Sequence, residues 1–147
     1  DSFWMAKAYR IPANTCACIE PGTIAAHTLP IARFNVRSFI TNVVNGAKVA
    51  ANAPLALRGI AFDGGYGVSD VSLSADGGQT WNRAKLGEDL GKYSFREWTI
   101  ALPVGAGDVA LMVRATNRIG ESQPLDALWN PSGYMRNVVE TTHVTAA

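Results

Sequence analysis

The segment Val71-Ser72-Leu73-Ser74-Ala75-Asp76-Gly77-Gly78-Gln79-Thr80-Trp81 decides the fold class of the chain. Apolar side chains alternate with serines along its first half, which is the period of two that a half-buried β-strand requires. The Asp76-Gly77-Gly78 step then provides backbone that adopts positive φ at little cost, so the chain turns and returns along itself. The segment therefore predicts a β-hairpin in an antiparallel sheet.

Similar short runs continue on both sides of this hairpin, from Arg33 to the end of the chain. They recur at roughly 8–15-residue spacing and are separated by turn residues, which is typical of an antiparallel sandwich. The clearest runs cover residues 34–40, 55–62, 95–102, 109–115 and 138–143. In the first run, the alternation directs Phe34, Val36 and Ile40 to one side of the strand. Pro103 is expected to end the third run.

These runs set the predicted fold. No stretch has the apolar spacing of a long amphipathic helix, and about seven strands can be counted. We therefore predict an all-β fold, an immunoglobulin-like antiparallel β-sandwich at residues 33–147, without the disulfide common in that architecture. Residues 1–32 show no sustained period, so they are predicted to form an irregular N-terminal arm. The charged stretch from Lys85 to Lys92 is predicted as an exposed loop.

Composition excludes several classes of protein. With 48% apolar and 17% charged residues, the 147-residue chain can bury a core without metal ions or disulfides. Basic and acidic residues number 13 and 12, which argues against nucleic-acid binding. No apolar run approaches the roughly 20 residues of a membrane-spanning helix, so no membrane partner is expected. The chain begins at Asp1 without an initiator methionine, which indicates a processed terminus or, as we favour, a cut inside a longer chain.

The cysteines and histidines do not form an evident metal site. His27 and His143 have no acidic partner at metal-ligand spacing, so a zinc site built from this chain alone is not expected. A bridge between Cys16 and Cys18 would close a very short loop and would be strained. We therefore expect two partly buried thiols, with binding of a soft metal as the alternative.

Two loop arginines are the remaining candidates for chemistry. Arg118 and Arg136 lie in turn-rich segments. Arg136 follows a turn at the start of the last strand, where side chains at the end of a sandwich can face a neighbouring domain. A loop arginine is ordinarily solvated, but a fixed guanidinium can hold a small anion through paired N–H groups. The glycine cluster at 64–67 follows a strand but precedes another strand, so a phosphate-binding loop is not expected.

The chain resembles a known family, the molybdopterin-dependent sulfite oxidases and sulfite dehydrogenases, and in particular their C-terminal immunoglobulin-like domain. The pattern V-x-x-S-x-D-G-G-x-x-W at 71–81 is the most specific part of the resemblance. Other family motifs follow in register: Phe3-Trp4 and Tyr9-Arg10 in the arm, Val36-Arg37-Ser38-Phe39-Ile40-Thr41, Gly59-Ile60-Ala61-Phe62-Asp63-Gly64-Gly65, Gln123-Pro124, and Trp129-Asn130 with Gly133 and Asn137.

The resemblance implies a molybdenum enzyme that oxidises sulfite to sulfate and passes electrons to a c-type cytochrome. It implies that residues 1–32 are the tail of a preceding domain that holds the molybdopterin cofactor, so this chain alone would bind no cofactor or metal and would be inactive. The sandwich would pack on that domain, form a protein interface that includes a possible homodimer, and add positive charge to the substrate pocket. The ending Gly133-Tyr134-Met135-Arg136 looks most like bacterial sulfite dehydrogenases, which implies a periplasmic location.

Departures from the family direct attention to Arg136. Many relatives carry one arginine directly after the glycine cluster and another between the closing Trp-Asn and its glycine, where this chain has Tyr66 and Ser132. Arg136 is therefore predicted to bind the substrate anion, with Arg118 as the other candidate. The alternative function is a non-catalytic immunoglobulin-like binding or adhesion module. Sulfite and another small oxyanion or sulfoxide both remain open as substrate, as do a homodimer and a heterodimer with a cytochrome.

Overall fold

Two β-sheets packed face to face form most of the structure, a computed structural model that describes residues 2–147. Asp1, where the predicted arm and the predicted cut begin, lies outside the described residues. The strands are β1 (Arg10–Pro12), β2 (Thr28–Pro30), β3 (Arg37–Ile40), β4 (Ala47–Val49), β5 (Ala53–Phe62), β6 (Val68–Ser74), β7 (Asn82–Arg83), β8 (Lys85–Leu86), β9 (Arg96–Val104), β10 (Gly107–Asn117) and β11 (Glu140–Ala146).

The sheet order confirms the predicted sandwich. One sheet has the order β4-β11-β10-β6-β7 and the other has the order β3-β5-β9-β8. Neighbouring strands are antiparallel except β4 and β11, which are parallel. Nine strands in residues 2–147 build the two sheets, and β4, β7 and β8 have only two or three residues each. No helix within residues 2–147 is long and apolar enough to cross a membrane.

The core lies between the sheets, at alternate positions of the facing strands. β10 buries every second residue from Val109 to Asn117, as its sequence predicts. β6 buries Val71 and Leu73 as predicted, but it also buries Ser74. Each fully buried leucine or valine contributes roughly 1.5–3 kcal/mol relative to an exposed one. Trp98 of β9 is 1% exposed, and its indole N–H donates to the Ser38 hydroxyl at 2.8 Å. The buried apolar side chains include Leu57, Ala61, Val71, Leu73, Trp98, Leu102, Leu111, Val113, Ala115 and Val144.

Three local predictions are wrong. Phe34 is 69% exposed because regular pairing begins only at Arg37. Pro103 does not end the strand but lies inside β9, opposite Pro54 of β5. Neither proline has a paired strand on its other side, so no carbonyl of a third strand lacks a donor because of the missing amide N–H groups. The stretch after Lys85 is not wholly a loop, since β8 pairs with β9 at Thr99 and Trp98.

The arm contains short regular elements. A π-helix spans Trp4–Ala8, and β1 and β2 form a two-stranded antiparallel sheet. The Ile19 amide donates to the Trp129 carbonyl oxygen at 2.9 Å, which ties the arm to the loop before β11. Phe3 and Trp4 remain 61% and 58% exposed.

The prediction of two free thiols is also wrong. Cys16 and Cys18 form a disulfide with their Cα atoms 5.1 Å apart, within the ordinary range for this bond. The three-residue loop closes because Ala17 adopts a positive φ of 52°, a backbone conformation that few non-glycine residues take. The sequence gives no sign of that conformation.

Candidate functional site

The outer surface of the four-stranded sheet presents aromatic and basic side chains at one end. Along β3, Ser38 is buried against the core, so the alternation directs Arg37 and Phe39 outward. The Arg37 guanidinium lies over the Phe39 ring, 4.6 Å from its centroid. This contact adds to the hydrophobic packing and fixes the direction of the arginine.

Four phenylalanines form a contiguous cluster on this surface. Phe62, at the end of β5, contacts Phe34 at 6.3 Å, Phe39 at 6.2 Å and Phe95 at 5.5 Å between ring centroids. Phe34 and Phe95 are 69% and 59% exposed, although each ring packs against Phe62. Exposed aromatic groups that cluster in this way are typical of a surface that another protein covers.

Arg136 lies beside this cluster and shares a carboxylate with Arg37. The Arg136 Nη1 atom is 2.7 Å from Glu140 Oε1, and the Arg37 Nε atom is 3.1 Å from the same oxygen. Two guanidinium groups against one carboxylate leave one net positive charge. We call the surface formed by Phe34, Arg37, Phe62, Phe95 and Arg136 the arginine–aromatic face.

The loop that carries Arg136 is held by backbone and amide contacts. The Asn130 side chain accepts from the Tyr134 amide at 3.0 Å and donates to the Tyr134 carbonyl at 2.6 Å. Gly133 has a φ of 66°, a conformation that glycine adopts readily. The Asn35 side chain donates to the Met135 carbonyl at 2.9 Å, which joins the loop to the start of β3. The loop therefore holds Arg136 at a fixed place beside β3.

Two open grooves meet along the arginine–aromatic face. One is lined by Tyr9, Tyr134 and Arg136, and the other by Tyr93, Phe95 and Gly64. Phe34, Arg37 and Phe62 line both grooves. The Tyr9 and Tyr134 rings are 5.6 Å apart, so the surface continues into the arm. The arm, Arg136 and the phenylalanine cluster thus form one continuous surface.

The glycine cluster wraps an internal carboxylate. Asp63 is buried, and its Oδ2 atom accepts from the amides of Gly65, Tyr66 and Gly67 at 3.1, 2.6 and 3.2 Å. Its Oδ1 atom accepts from the Asn117 side chain at 3.0 Å. These amides already bind an anion of the chain itself, so the loop has a structural role.

Arg118 belongs to a separate ion cluster. Its guanidinium pairs with Asp89, which also lies 3.4 Å from Arg96 Nη1. The Gly91 amide, followed by the charges of Arg118 and Arg96, holds the pKa of Asp89 below its usual value. Within residues 2–147, Arg118 and Arg136 share no ion-pair partner. The structure therefore brings Arg136, not Arg118, to the face that adjoins the arm.

The described residues offer no metal centre. No group of three His, Cys, Asp or Glu side chains in residues 2–147 is arranged to hold a metal ion. Both cysteines are bonded to each other, so neither provides a thiolate ligand. The side chains of residues 2–147 therefore do not fit ligation of a molybdenum centre.

The sequence predicts Arg136 as a site residue but gives no sign of the side chains around it. Glu140 lies 103 residues from Arg37 along the chain, and no local pattern connects them. One feature of the sequence could have indicated the exposed phenylalanines. Arg37 and Phe39 both alternate with the core-facing positions of their strand. A hydrophobic residue on the outward side of a strand, next to an arginine, indicates a covered outer face.

Comparisons with known proteins identify relatives of this chain. A family model described as the Mo-co oxidoreductase dimerisation domain matches residues 28–146. Mitochondrial sulfite oxidase of Macaca fascicularis is 29% identical over 99% of this chain and 28% of its own length. NADH nitrate reductase of Solanum lycopersicum is 32% identical over 73% of this chain and 13% of its own length. The chain therefore spans less than a third of either relative.

A solved structure has the same fold. Sulfane dehydrogenase SoxCD from Paracoccus pantotrophus superposes with a TM-score of 0.70 at 19% identity, over 98% of this chain and 36% of that chain. The superposition includes the arm as well as the sandwich, since it leaves out only 2% of the chain.

Proposed function

The chain belongs to the Mo-co oxidoreductase dimerisation domain family, and from this premise we propose that it is the C-terminal part of a molybdenum enzyme that oxidises sulfite to sulfate. Members of this family are domains of molybdopterin oxidoreductases, in which the dimerisation domain is not itself the cofactor site. In the proposed parent, residues 1–32 end a preceding cofactor domain and residues 33–147 form the sandwich. The cofactor supplies the redox chemistry from that preceding domain.

The extent of the similarity along the chain favours sulfite over nitrate as the substrate. The alignment with the macaque sulfite oxidase covers 99% of this chain, whereas the tomato nitrate reductase covers 73% of it. The arm is also the part of the chain that adjoins Arg136, through Tyr9 and Tyr134. Similarity to a sulfite oxidase therefore extends to the surface where the proposed substrate contact lies.

The observation that carries the proposal is the continuity of the arginine–aromatic face. Phe34 and Phe62 join the groove beside Arg136 to the groove beside Phe95, and all belong to one uncovered surface. We assign this surface to the contact with the parent's cofactor domain. The exposed phenylalanines provide hydrophobic contact area there, and Arg136 extends toward the substrate anion.

Arg136 is suited to this role because its charge is only partly used inside the chain. Glu140 is shared between Arg37 and Arg136, and the Arg136 side chain is 54% exposed. A guanidinium with free N–H groups can donate two hydrogen bonds to an oxyanion. Arg37 holds Glu140 in the same position, so the substrate contact does not require the carboxylate to move.

The remaining parts of the proposal come from the family. We propose that the parent is a homodimer, as the description of the family as a dimerisation domain suggests. We further propose that its electrons pass to a c-type cytochrome and that it resides in the periplasm, both of which rest on the resemblance to bacterial sulfite dehydrogenases.

An activity measurement on the intact parent protein tests the proposal. The protein is purified with its molybdenum content determined, and reduction of a c-type cytochrome is followed with sulfite as electron donor. In a second assay, nitrate is offered with a reduced electron donor. We expect turnover with sulfite and none with nitrate. Turnover with nitrate alone, or a folded parent without molybdenum, would overturn the proposal.

A further inference from the structure

The Cys16–Cys18 disulfide has no part in the function proposed above. It closes a three-residue turn in the arm, and within residues 2–147 it is the sole disulfide. A core of this size does not need such a short bridge for stability, because the loop that it closes restricts very little of the unfolded chain. A chemical role therefore explains the bridge better than a contribution to stability.

The two sulfur-bearing residues differ in access. Cys16 is exposed, whereas Cys18 is half-buried. Cys16 also lines a narrow cleft together with Leu128, Tyr134 and Arg136. A thiolate that approaches from solvent thus meets Cys16 first.

Asn14 holds the backbone of the second cysteine. Its side-chain oxygen accepts from the Cys18 amide at 3.2 Å, and its side-chain nitrogen donates to the Cys18 carbonyl at 2.8 Å. Asn14 Oδ1 also lies 3.4 Å from Cys16 Sγ, but the two contacts with Cys18 are made to its backbone and do not require the S–S bond. Cys18 then stays beside Cys16, which gives its thiolate a high effective concentration for the return reaction.

We propose that Cys16–Cys18 is a reversible thiol–disulfide exchange site for small thiols. A thiolate attacks Cys16 Sγ, the S–S bond breaks, and the electron pair leaves on Cys18 as a thiolate, so a mixed disulfide forms on Cys16. Cys18 then either expels the thiol and restores the bridge, or a second thiol attacks the mixed disulfide and releases the oxidised thiol dimer and a reduced Cys16. The proposal does not depend on the activity of the parent enzyme.

Two single-cysteine variants of the intact protein test the assignment of roles, with glutathione as the probe. Cys18→Ser leaves Cys16 free, and Cys16→Ser leaves Cys18 free. Each is mixed with oxidised glutathione, and the adduct is followed by mass spectrometry of the intact protein. We expect Cys16 to form the adduct at least about tenfold faster than Cys18. Equal rates would overturn the proposal.

The native disulfide and Asn14 provide the second part of the test. Reduced glutathione should open the bridge in the folded protein, with the mixed disulfide trapped by acid and mapped to Cys16. Asn14→Ala should lengthen the lifetime of that mixed disulfide, whereas Thr15→Ala, a change at an exposed residue of the same turn, should not. A bridge that opens only after denaturation, or identical lifetimes in the two variants, would show a purely structural disulfide.

Discussion

At the scale of single residues, Glu140 sets the position of the proposed substrate contact. It lies at the start of β11 and accepts hydrogen bonds from Arg37 and Arg136 through the same oxygen. Its side chain is 23% exposed, so solvent still screens both pairs and each contributes at most about 1 kcal/mol to folding. The cluster therefore serves mainly to orient the two arginines.

Arg136→Met in the intact parent is expected to raise the Michaelis constant for sulfite by at least about tenfold. A charge-assisted hydrogen bond to the anion contributes roughly 1.5–3 kcal/mol, and its loss weakens substrate binding. Folding and molybdenum content should not change, because Arg37 still neutralises Glu140. Steady-state kinetics with metal analysis measures the effect. Lys48→Met, at an exposed residue of β4, is the matched control. Kinetics within about twofold of wild type would exclude Arg136 from the pocket.

Asp76 is a residue whose contribution to stability depends on pH. Hydrogen bonds from the Ser74 hydroxyl and from the Thr80 side chain and amide lower its pKa to about 2 from 3.8. Since the folded value lies below the unfolded one, the contribution is fully present above 3.8 and is lost as the pH falls through about 2. Asp76→Asn should therefore show a smaller loss of stability between pH 5 and pH 2 than wild type, as measured by urea unfolding.

The matched control for this experiment is Asp126→Asn. The Asp126 carboxylate makes no hydrogen bond to another described residue, so its removal should leave the pH profile of the wild type in place. If Asp76→Asn also keeps that profile, the hydrogen bonds at the hairpin do not carry the acid dependence.

Residue-level features were predictable only where they follow from local sequence. The hairpin around Asp76 is encoded within a few residues, so its sequence predicts it well. The Asp63 carboxylate lies next to its own glycine amides, but its bond to Asn117 spans 54 residues. The Cys16–Cys18 bridge depends on the φ of Ala17, which alanine adopts in few structures. The local sequence therefore indicates neither the Asp63–Asn117 hydrogen bond nor the Cys16–Cys18 bridge.

At the scale of elements, β5 and β9 depend on the absence of a side chain at Gly59. The Gly59 position lies opposite Trp98 in the ladder. A Cβ atom there would lie 1.9 Å from the Phe39 carbonyl oxygen and 2.3 Å from Trp98 Cζ2. Backbone and a buried indole cannot both move away, so the close approach of β3, β5 and the Trp98 side chain requires glycine.

Gly59→Ala should therefore destabilise the chain by at least about 2 kcal/mol, because the added methyl overpacks the core. Gly105→Ala is the matched control, since nothing lies within 4 Å of an added Cβ at that position. It should change stability by no more than about 0.5 kcal/mol. Urea unfolding of both variants measures the difference. Similar midpoints for the two variants would contradict the packing described for Trp98.

Elements with long apolar alternation were predicted well, and short ones were not. β10 buries every second residue from Val109 to Asn117, and β6 buries Val71 and Leu73, so the period of two is clear in both sequences. β4, β7 and β8 have two or three residues, too few to show a period, and they exist because they add to an edge that is already formed. The end of β9 is likewise determined by its pairing with β5, which continues past Pro103 to Val104. The proline alone does not end the strand.

At the scale of the whole molecule, the arm and the sandwich present one surface. Hydrogen bonding of Ile19 to Trp129 and contact of Tyr9 with Tyr134 place the arm beside the loop that carries Arg136. The phenylalanine cluster extends this surface across the end of the four-stranded sheet. This is the surface that we propose contacts the cofactor domain of the parent, with Arg136 at the boundary.

Photo-cross-linking from position 34 of the intact parent tests this account most directly. Phe34, which is 69% exposed, is replaced by a photoreactive phenylalanine derivative, and Trp81 of the hairpin is replaced in the same way as a control. After irradiation, the product is sized on a denaturing gel and its cross-links are mapped by mass spectrometry. The account predicts cross-links from position 34 into the cofactor domain of the same chain, at the mass of one chain, and none from position 81. A product of doubled mass, which would place a second copy on the face, or no cross-link from position 34, would contradict it.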